Sequence, residues 1–345
     1  MNPQKNIVRT LLYLCLIGGS FFFLFRQTDL NAVLAVLSRA NKYWLIPALA
    51  LMVFMVSCEG FALRYFLRLT GQKRPLRCFL RYAFAGHYFT SITPGAAGGQ
   101  PAQLFFMTKD GLSCGSASVA LLLFNMTYHT ALLIISAVLF LFKWQRIAQI
   151  APVFRFFIAG GAAVHAALIL FFLLLMFSPN AVSSGCRAIL RLLSKTRWAR
   201  RSEGLGEKFS AQLALYRESA ELLRKNPQIF WRTLPIPMLQ VLLILSVPFF
   251  AAQALGLQGC AFPDLLALQA ASMLAADSLP LPGGVGISET ALLSFYGGIF
   301  GSSALPAVLL CRLCGYYLPV FISGVLLCAL APKKALRFHS ASDVL

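Results

Sequence analysis

Seven ionisable side chains fall inside strongly apolar stretches of this sequence: Glu59, His87, His129, His165, Asp277, Glu289 and Arg312. At membrane depth an Asp or Arg costs at least ~2.5–3.5 kcal/mol, so such a group needs a partner or a task. Asp277 lies five residues before Pro282, and Glu289 three after Gly286. Both therefore flank one Pro/Gly break, Leu279-Pro280-Leu281-Pro282-Gly283-Gly284-Val285-Gly286. Arg312, in the following apolar run, is the counter-charge expected for one of them. The trio reads as a buried salt bridge that fixes helix packing or as the lining of a polar path. A second break, Thr93-Pro94-Gly95-Ala96-Ala97-Gly98-Gly99-Gln100-Pro101, offers hydroxyls and amides instead of acids: Ser91, Thr93, Gln100 and Gln103, with His87 just before. The free N–H groups of a half-helix that starts at Gly95, Gly98 or Gly99 attract anions such as phosphate. This combination suits a phospholipid head group, with hydroxyls and any amine near Ser, Gln or Glu289. Glu59 is placed to meet Arg64 or to face a cavity. His129 and His165 stand alone on apolar segments, without metal-ligand spacing, and read as packing residues.

The elements that must hold these groups are membrane helices. Of 345 residues, 59% are hydrophobic and 12% charged, about half the charged fraction of a soluble chain; the mean hydropathy is +0.74. The runs Tyr43–Leu63, Ser116–Phe142, Phe156–Phe177, Leu239–Leu255 and Ala304–Leu330 reach or approach the ~20 residues that cross a bilayer core. The N-terminal stretch has Lys5 and Arg9 before an apolar run about Thr10–Phe25 and no small-residue cleavage site. It reads as a retained first span rather than a signal peptide. The net charge of +19 follows the loops between apolar runs, as the positive-inside pattern requires, and no nucleic-acid-binding motif accompanies it. Nine cysteines, an odd number and mostly inside apolar segments, argue against a disulfide framework. Cys311 and Cys314 lack partner ligands and read as small packing residues. No cofactor motif occurs, and no GxxxxGK[ST] provides an ATP site.

Charge placement also predicts topology. With Lys5 and Arg9 cytoplasmic, the basic patch Arg64–Arg81 and the polar stretch Ser178–Phe230 are cytoplasmic too. That works only if Cys78–Gly115 begins and ends on one face and Pro263–Ser302 on the other. Each region is a short apolar stretch, a Pro/Gly break and a second short stretch. Half-helices of roughly 14–16 residues reach only about 20–24 Å. The expectation is an all-α polytopic membrane protein, a single integral domain over residues 1–345. It has about six full spans and two re-entrant broken-helix hairpins, related as an inverted repeat. Both termini are expected in the cytoplasm, at the plasma membrane. Within the cytoplasmic segment 178–230, Phe209, Leu213, Tyr216, Ala220 and Leu223 recur at helical spacing. An amphipathic helix on the inner surface is expected there, beside a basic run from Arg187 to Arg201.

The segments "SITPGAAGGQPAQLFFMTKDG" (Ser91–Gly111) and "DSLPLPGGVGISETALL" (Asp277–Leu293) resemble the flippase-like membrane domain of lysylphosphatidylglycerol synthases and their stand-alone relatives. The likeness extends over roughly residues 5–332. Pro94, Gly95, Gly98, Gly99, Pro282, Gly283, Gly284, Gly286 and Glu289 match its pattern. Gln100 departs from it, since many relatives carry an acid there, and no aminoacyltransferase domain follows the last span. The resemblance implies movement of lipids between leaflets, without synthesis of an aminoacyl lipid. The expected partners are membrane lipids, phospholipid head groups above all, with a homo-oligomer open. The substrate groups would be Ser91, Thr93, Gly95, Gly98, Gly99, Gln100, Asp277, Gly283, Gly284, Gly286, Glu289 and Arg312. Two other readings stand beside it: a proton- or cation-coupled carrier of a small polar solute, using Asp277 and Glu289, and an intramembrane lipid-modifying enzyme. The enzyme lacks a visible constellation, because the sequence shows no His-Asp pair or nucleophile with a base.

Overall fold

The structure, a computed structural model, describes residues 38–93, 98–150, 154–178, 205–259, 261–278 and 287–330, with isolated positions between them. Among the described residues there are helices and no strands. In chain order they are α1 (Lys42–Leu69), α2 (Leu76–Ile92), α3 (Gly99–Lys109), α4 (Cys114–Ile150), α5 (Phe154–Phe177), α6 (Leu205–Lys225), α7 (Gln228–Thr233), α8 (Pro235–Ala254), α9 (Phe262–Asp277) and α10 (Ile287–Phe300). After a 3-10 turn, Gly301–Ser303, come α11 (Ala304–Arg312), a π-helical turn (Leu313–Tyr317) and α12 (Leu318–Ala329). The expected span about Thr10–Phe25, the basic run 187–201 and the tail bearing Lys333, Lys334 and Arg337 lie outside the described residues.

Five stretches are long and apolar enough to cross a membrane: Lys42–Leu69, Cys114–Gln145, Phe154–Phe177, Gln228–Ala254 and Thr290–Ala329. The last is not one rod. Gly301 takes the left-handed φ of 54° that a side chain resists. Beyond it the Tyr296 hydroxyl lies 3.7 Å from Cys311 Sγ. In a continuous helix those residues would stand about 22 Å apart. The chain folds back at Gly301, and Ala304–Ala329 is the spanning piece.

The helices left over are too short to cross. α2 has 17 residues and α3 has 11; α9 has 16 and α10 has 14. At ~1.5 Å per residue none exceeds about 26 Å, against a core of ~30 Å. The two pairs start from opposite ends of the bundle, and α4 shows this directly. Its first residues follow the turn at Gly111 that ends the α2–α3 hairpin. Near its far end Lys143 pairs with Asp264, in the first turn of α9.

Glycine sets how closely these helices approach. A Cβ on Gly60 would press on the Phe79 carbonyl of α2. One on Gly99 would strike Thr90 Oγ1 and stand 3.0 Å from the Gly86 carbonyl, and one on Gly161 of α5 would strike the Leu274 carbonyl of α9. Backbones this close gain dispersion contact that larger side chains would prevent.

The packing repeats itself. α1 lies along α8, α2 against α12, and α2 against α3. The counterparts appear in α9 against α4 and α9 against α10. Residues 42–145 thus match residues 235–329 element for element: a span, a broken pair, a span. Two large buried clusters carry this arrangement, and Tyr128 of α4 packs against both.

One expectation changes. The apolar face of α6 does not await lipid: Tyr216, Ala220 and Leu223 are buried in the protein core. The Tyr216 hydroxyl donates to the Leu175 carbonyl at 2.9 Å, and Ser219 to Ser116 at 2.9 Å. A helix with this moment can satisfy it against protein as well as against a bilayer.

Candidate functional site

The second break is bounded by α9 and α10, and beside it lies a cavity of about 180 Å³. Its wall is mixed. Ile244 and Val247 of α8, with Met273 and Leu292, give apolar surface. Gln269, Ser272 and Asp277 of α9 and Arg312 and Tyr316 of the last span give polar groups. Gln269 Oε1 is buried without a hydrogen-bond partner. The Arg312 guanidinium lies 4.4 Å from the centre of the Tyr316 ring, a cation–π contact that orients the cation. The space is below the ~300–1,000 Å³ of pockets that enclose whole ligands, so it fits a polar fragment.

Asp277 is where the sequence places it, at the rim of the second break, with its side chain 47% exposed. Its partner is a histidine. His165 Nε2 lies 3.1 Å from Asp277 Oδ2, and His165 Nδ1 lies 2.7 Å from His129 Nδ1. The two histidines read as separate packing residues therefore form one chain with Asp277, running from α4 through α5 to α9. His165, at its centre, is 3% exposed; Phe172 stacks on His129 with ring planes 14° apart. The absence of a His-Asp pair, inferred from the sequence, is corrected here. These residues are 36 and 112 positions apart, on helices that only the tertiary fold brings together. Asp277 lies beside the midpoint of α5, since His165 is central in Phe154–Phe177.

The described residues flanking the first break are committed to their own hairpin. The Ser91 hydroxyl donates to the His87 carbonyl at 2.8 Å, and Thr93 Oγ1 donates to the Phe89 carbonyl at 2.6 Å. Thr93 Oγ1 also accepts the Gly98 N–H at 2.9 Å, tying the end of α2 to the residue before α3. Gly98 and Gly99 allow the close approach of α3 to α2. Gln100 is exposed. Gln103 is buried and donates to Glu59 of α1. That bond, not one with Arg64, is where the Glu59 carboxyl goes. The Tyr316 hydroxyl donates to the Ser91 carbonyl at 2.7 Å. Since Tyr316 also lines the cavity and stands midway along Ala304–Ala329, it joins the end of the first hairpin to the wall of the second site. Gly95, Gly283, Gly284 and Gly286, with Pro94 and Pro282, lie outside the described residues. The backbone of Glu289 belongs to α10, and its side chain is also outside them.

Each hairpin base carries one ion pair of matching position. Arg81 of α2, expected in a solvated basic patch, is buried and paired with Asp110, which also accepts from the Tyr82 hydroxyl at 2.6 Å. Its guanidinium reaches the Leu330 carbonyl at the end of the last span at 3.5 Å. At the other end Lys143, on the last turns of α4, meets buried Asp264 at 2.9 Å. In both, the foot of a broken pair is tied to the end of the span it packs on. Among the described residues no group of three His, Cys, Asp or Glu is arranged to hold a metal ion.

No curated protein matches the chain in sequence. The family model described as the lysylphosphatidylglycerol synthase TM region matches residues 7–323. That span takes in both broken pairs, the cavity beside the second and every described helix as far as the middle of α12. With five apolar stretches long enough to cross a bilayer, the chain is a multi-pass membrane protein of the lysylphosphatidylglycerol synthase TM region family.

Proposed function

We propose that this protein moves a phospholipid or lipid-linked head group between bilayer leaflets, the tails staying in lipid while the head group passes beside the second break. The observation that carries this reading is the cavity of about 180 Å³ against α9 and the last span, lined by both Asp277 and Arg312. It has room for a head-group fragment and carries opposite charges, yet is too small for a whole lipid. The hairpins based at opposite ends support it, because broken helices tolerate unpaired backbone only around protein or a polar cavity. On this reading both hairpins are re-entrant, the protein sits in the plasma membrane with its termini in the cytoplasm, and its activity is transport without chemistry. The family name, which belongs to enzymes that aminoacylate a phospholipid, supports a lipid substrate.

The test is leaflet exchange in liposomes that hold a fluorescent phospholipid, with dithionite added outside. Quenching beyond the outer half, lost in Glu289→Gln, is the expected result. A Glu289→Gln protein that exchanges lipid normally removes Glu289 from the substrate path. A second reading, a proton-coupled carrier of a small polar solute, draws on the His129–His165–Asp277 chain; uptake of solute without lipid exchange would favour it.

A further inference from the structure

We propose that His129, His165 and Asp277 form a proton-binding relay that couples the cavity to a proton gradient, so that one proton travels with each anionic head group. The proposal rests on the translocation reading for its cargo, but the relay is defined by geometry alone. A chain of two imidazoles and a carboxylate, sealed at the centre and open at one end, is what proton transfer across a helix packing layer requires.

Hydrogen-bond accounting fixes two states. With Asp277 ionised, its Oδ2 accepts the Nε2–H of His165, whose Nδ1 then accepts the Nδ1–H of His129. A proton arriving at His129 Nε2 releases the His129 Nδ1 proton to His165 Nδ1. The His165 Nε2 proton in turn passes to Asp277 Oδ2. Both imidazoles end neutral in the opposite tautomer, Asp277 ends as the acid, and every bond in the chain is still made with its direction reversed. One proton enters and one is held, with only N–H and O–H bonds exchanged. Half-buried His129 is the entry, buried His165 the conductor, and exposed Asp277 the terminus.

The terminus lies in the wall that meets cargo. Arg312, Cys311 and Tyr316 face the same cavity from the last span, and α8 contributes only the apolar Ile244 and Val247. Tyr128 of α4 lies within electrostatic reach of Asp277 and of Glu59 on α1. Glu289 of α10 borders the break in sequence. Protonating Asp277 therefore removes one negative charge from the wall it shares with Arg312 and leaves that wall favouring a phosphate. Ionising it again expels the anion. Cargo and proton enter and leave together.

The experiment is thermodynamic. Liposomes of phosphatidylethanolamine and phosphatidylglycerol containing fluorescent phosphatidylglycerol and the full chain receive a pH difference of one unit across the membrane. After exchange reaches steady state, the amplitude of the fast first phase of dithionite quenching, before further lipid flips outward, reads the leaflet ratio. One proton per lipid shifts that ratio about tenfold toward the more alkaline side. The direction does not depend on how the protein is oriented. The shift should vanish in His165→Gln and in His129→Gln, the latter altering only the half-buried end. Exchange that proceeds with a ratio of one under the gradient overturns the relay and leaves translocation standing. If no lipid exchanges at all, translocation fails for this cargo and the relay is read by itself, from 15N-histidine spectra of the protein in nanodiscs. A His129 resonance whose titration changes in His165→Gln supports the coupled pair. A His129 resonance that titrates as an isolated imidazole in both proteins refutes it.

Discussion

Arg81 gives the most quantitative test of how the first hairpin is held. Its side chain is 4% exposed and that of its partner Asp110 is 15% exposed. Arg81→Met keeps most of the packed stem and removes the charge, leaving Asp110 with the Tyr82 hydroxyl as its described side-chain partner. Breaking a buried pair from one side costs about 3–5 kcal/mol, because the remaining charge is left without compensation. At ~2 °C per kcal/mol for a large chain, the expected fall in melting temperature is ~6–10 °C. Asp110→Asn alone should cost a similar amount by stranding the guanidinium. The double variant should be less destabilised than the sum of the two by ~2 kcal/mol or more. Melting of detergent-solubilised protein, followed by fluorescence-detected size exclusion, measures all four corners of the cycle. A fall of less than 2 °C for Arg81→Met, or strictly additive single losses, would refute the description of this contact as a buried latch.

Three further outcomes follow from the packing. Gly99→Leu drives a side chain into Thr90 and the Gly86 carbonyl, so it should separate α2 from α3 and abolish exchange while Gly297→Leu, where a Cβ would meet nothing, is tolerated; the two are compared in the liposome assay. Tyr316→Phe removes one hydrogen-bond donor from the Ser91 carbonyl and should cost ~1–3 kcal/mol, read as a lower melting temperature together with slower exchange. Glu221, on the exposed face of α6, has its carboxyl held below the usual range by the hydrogen bond and charge of Lys225. A lowered folded-state value means the pair's small contribution is present above the ordinary carboxylate range and fades as pH falls through the folded-state value. The melting-temperature difference between the wild type and Glu221→Gln should therefore be small at neutral pH, shrink with acid, and be salt-sensitive throughout.

Much of the architecture is legible in the sequence because a bilayer imposes length and hydropathy on anything that crosses it. Tyr43–Leu63 and Ser116–Phe142 became parts of α1 and α4 for that reason. The Pro/Gly breaks marked the broken pairs because short helices cannot cross. Side-chain partnerships follow another logic. His129 and His165 carry no local signal, since what joins them is the contact of α4 with α5. Arg81 looked like one cation among six in a loop-facing patch, and only the position of Asp110 under α2 shows that it is buried. Ser91 and Thr93 looked like free hydroxyls, yet helix carbonyls one turn back claim them, as they do for most Ser and Thr in apolar helices. Nothing in the spacing of Gln103 indicated Glu59, 44 residues away.

The match between residues 42–145 and 235–329 bears on energetics as well as on shape. If the protein moves lipid as proposed, exchanging the conformations of two matching halves produces a state that faces the other way at nearly the same free energy. The resting preference then comes from whatever breaks the likeness. Here the two ends differ in chemistry: a buried guanidinium with a carboxylate, a tyrosine and a carbonyl at one, and a partly exposed ammonium with a carboxylate at the other. A difference of ~1.4 kcal/mol between those fastenings makes a tenfold difference in population. On the proposed function, exchanging the pairs, Arg for Lys at either end, would change which face rests open without touching the cavity.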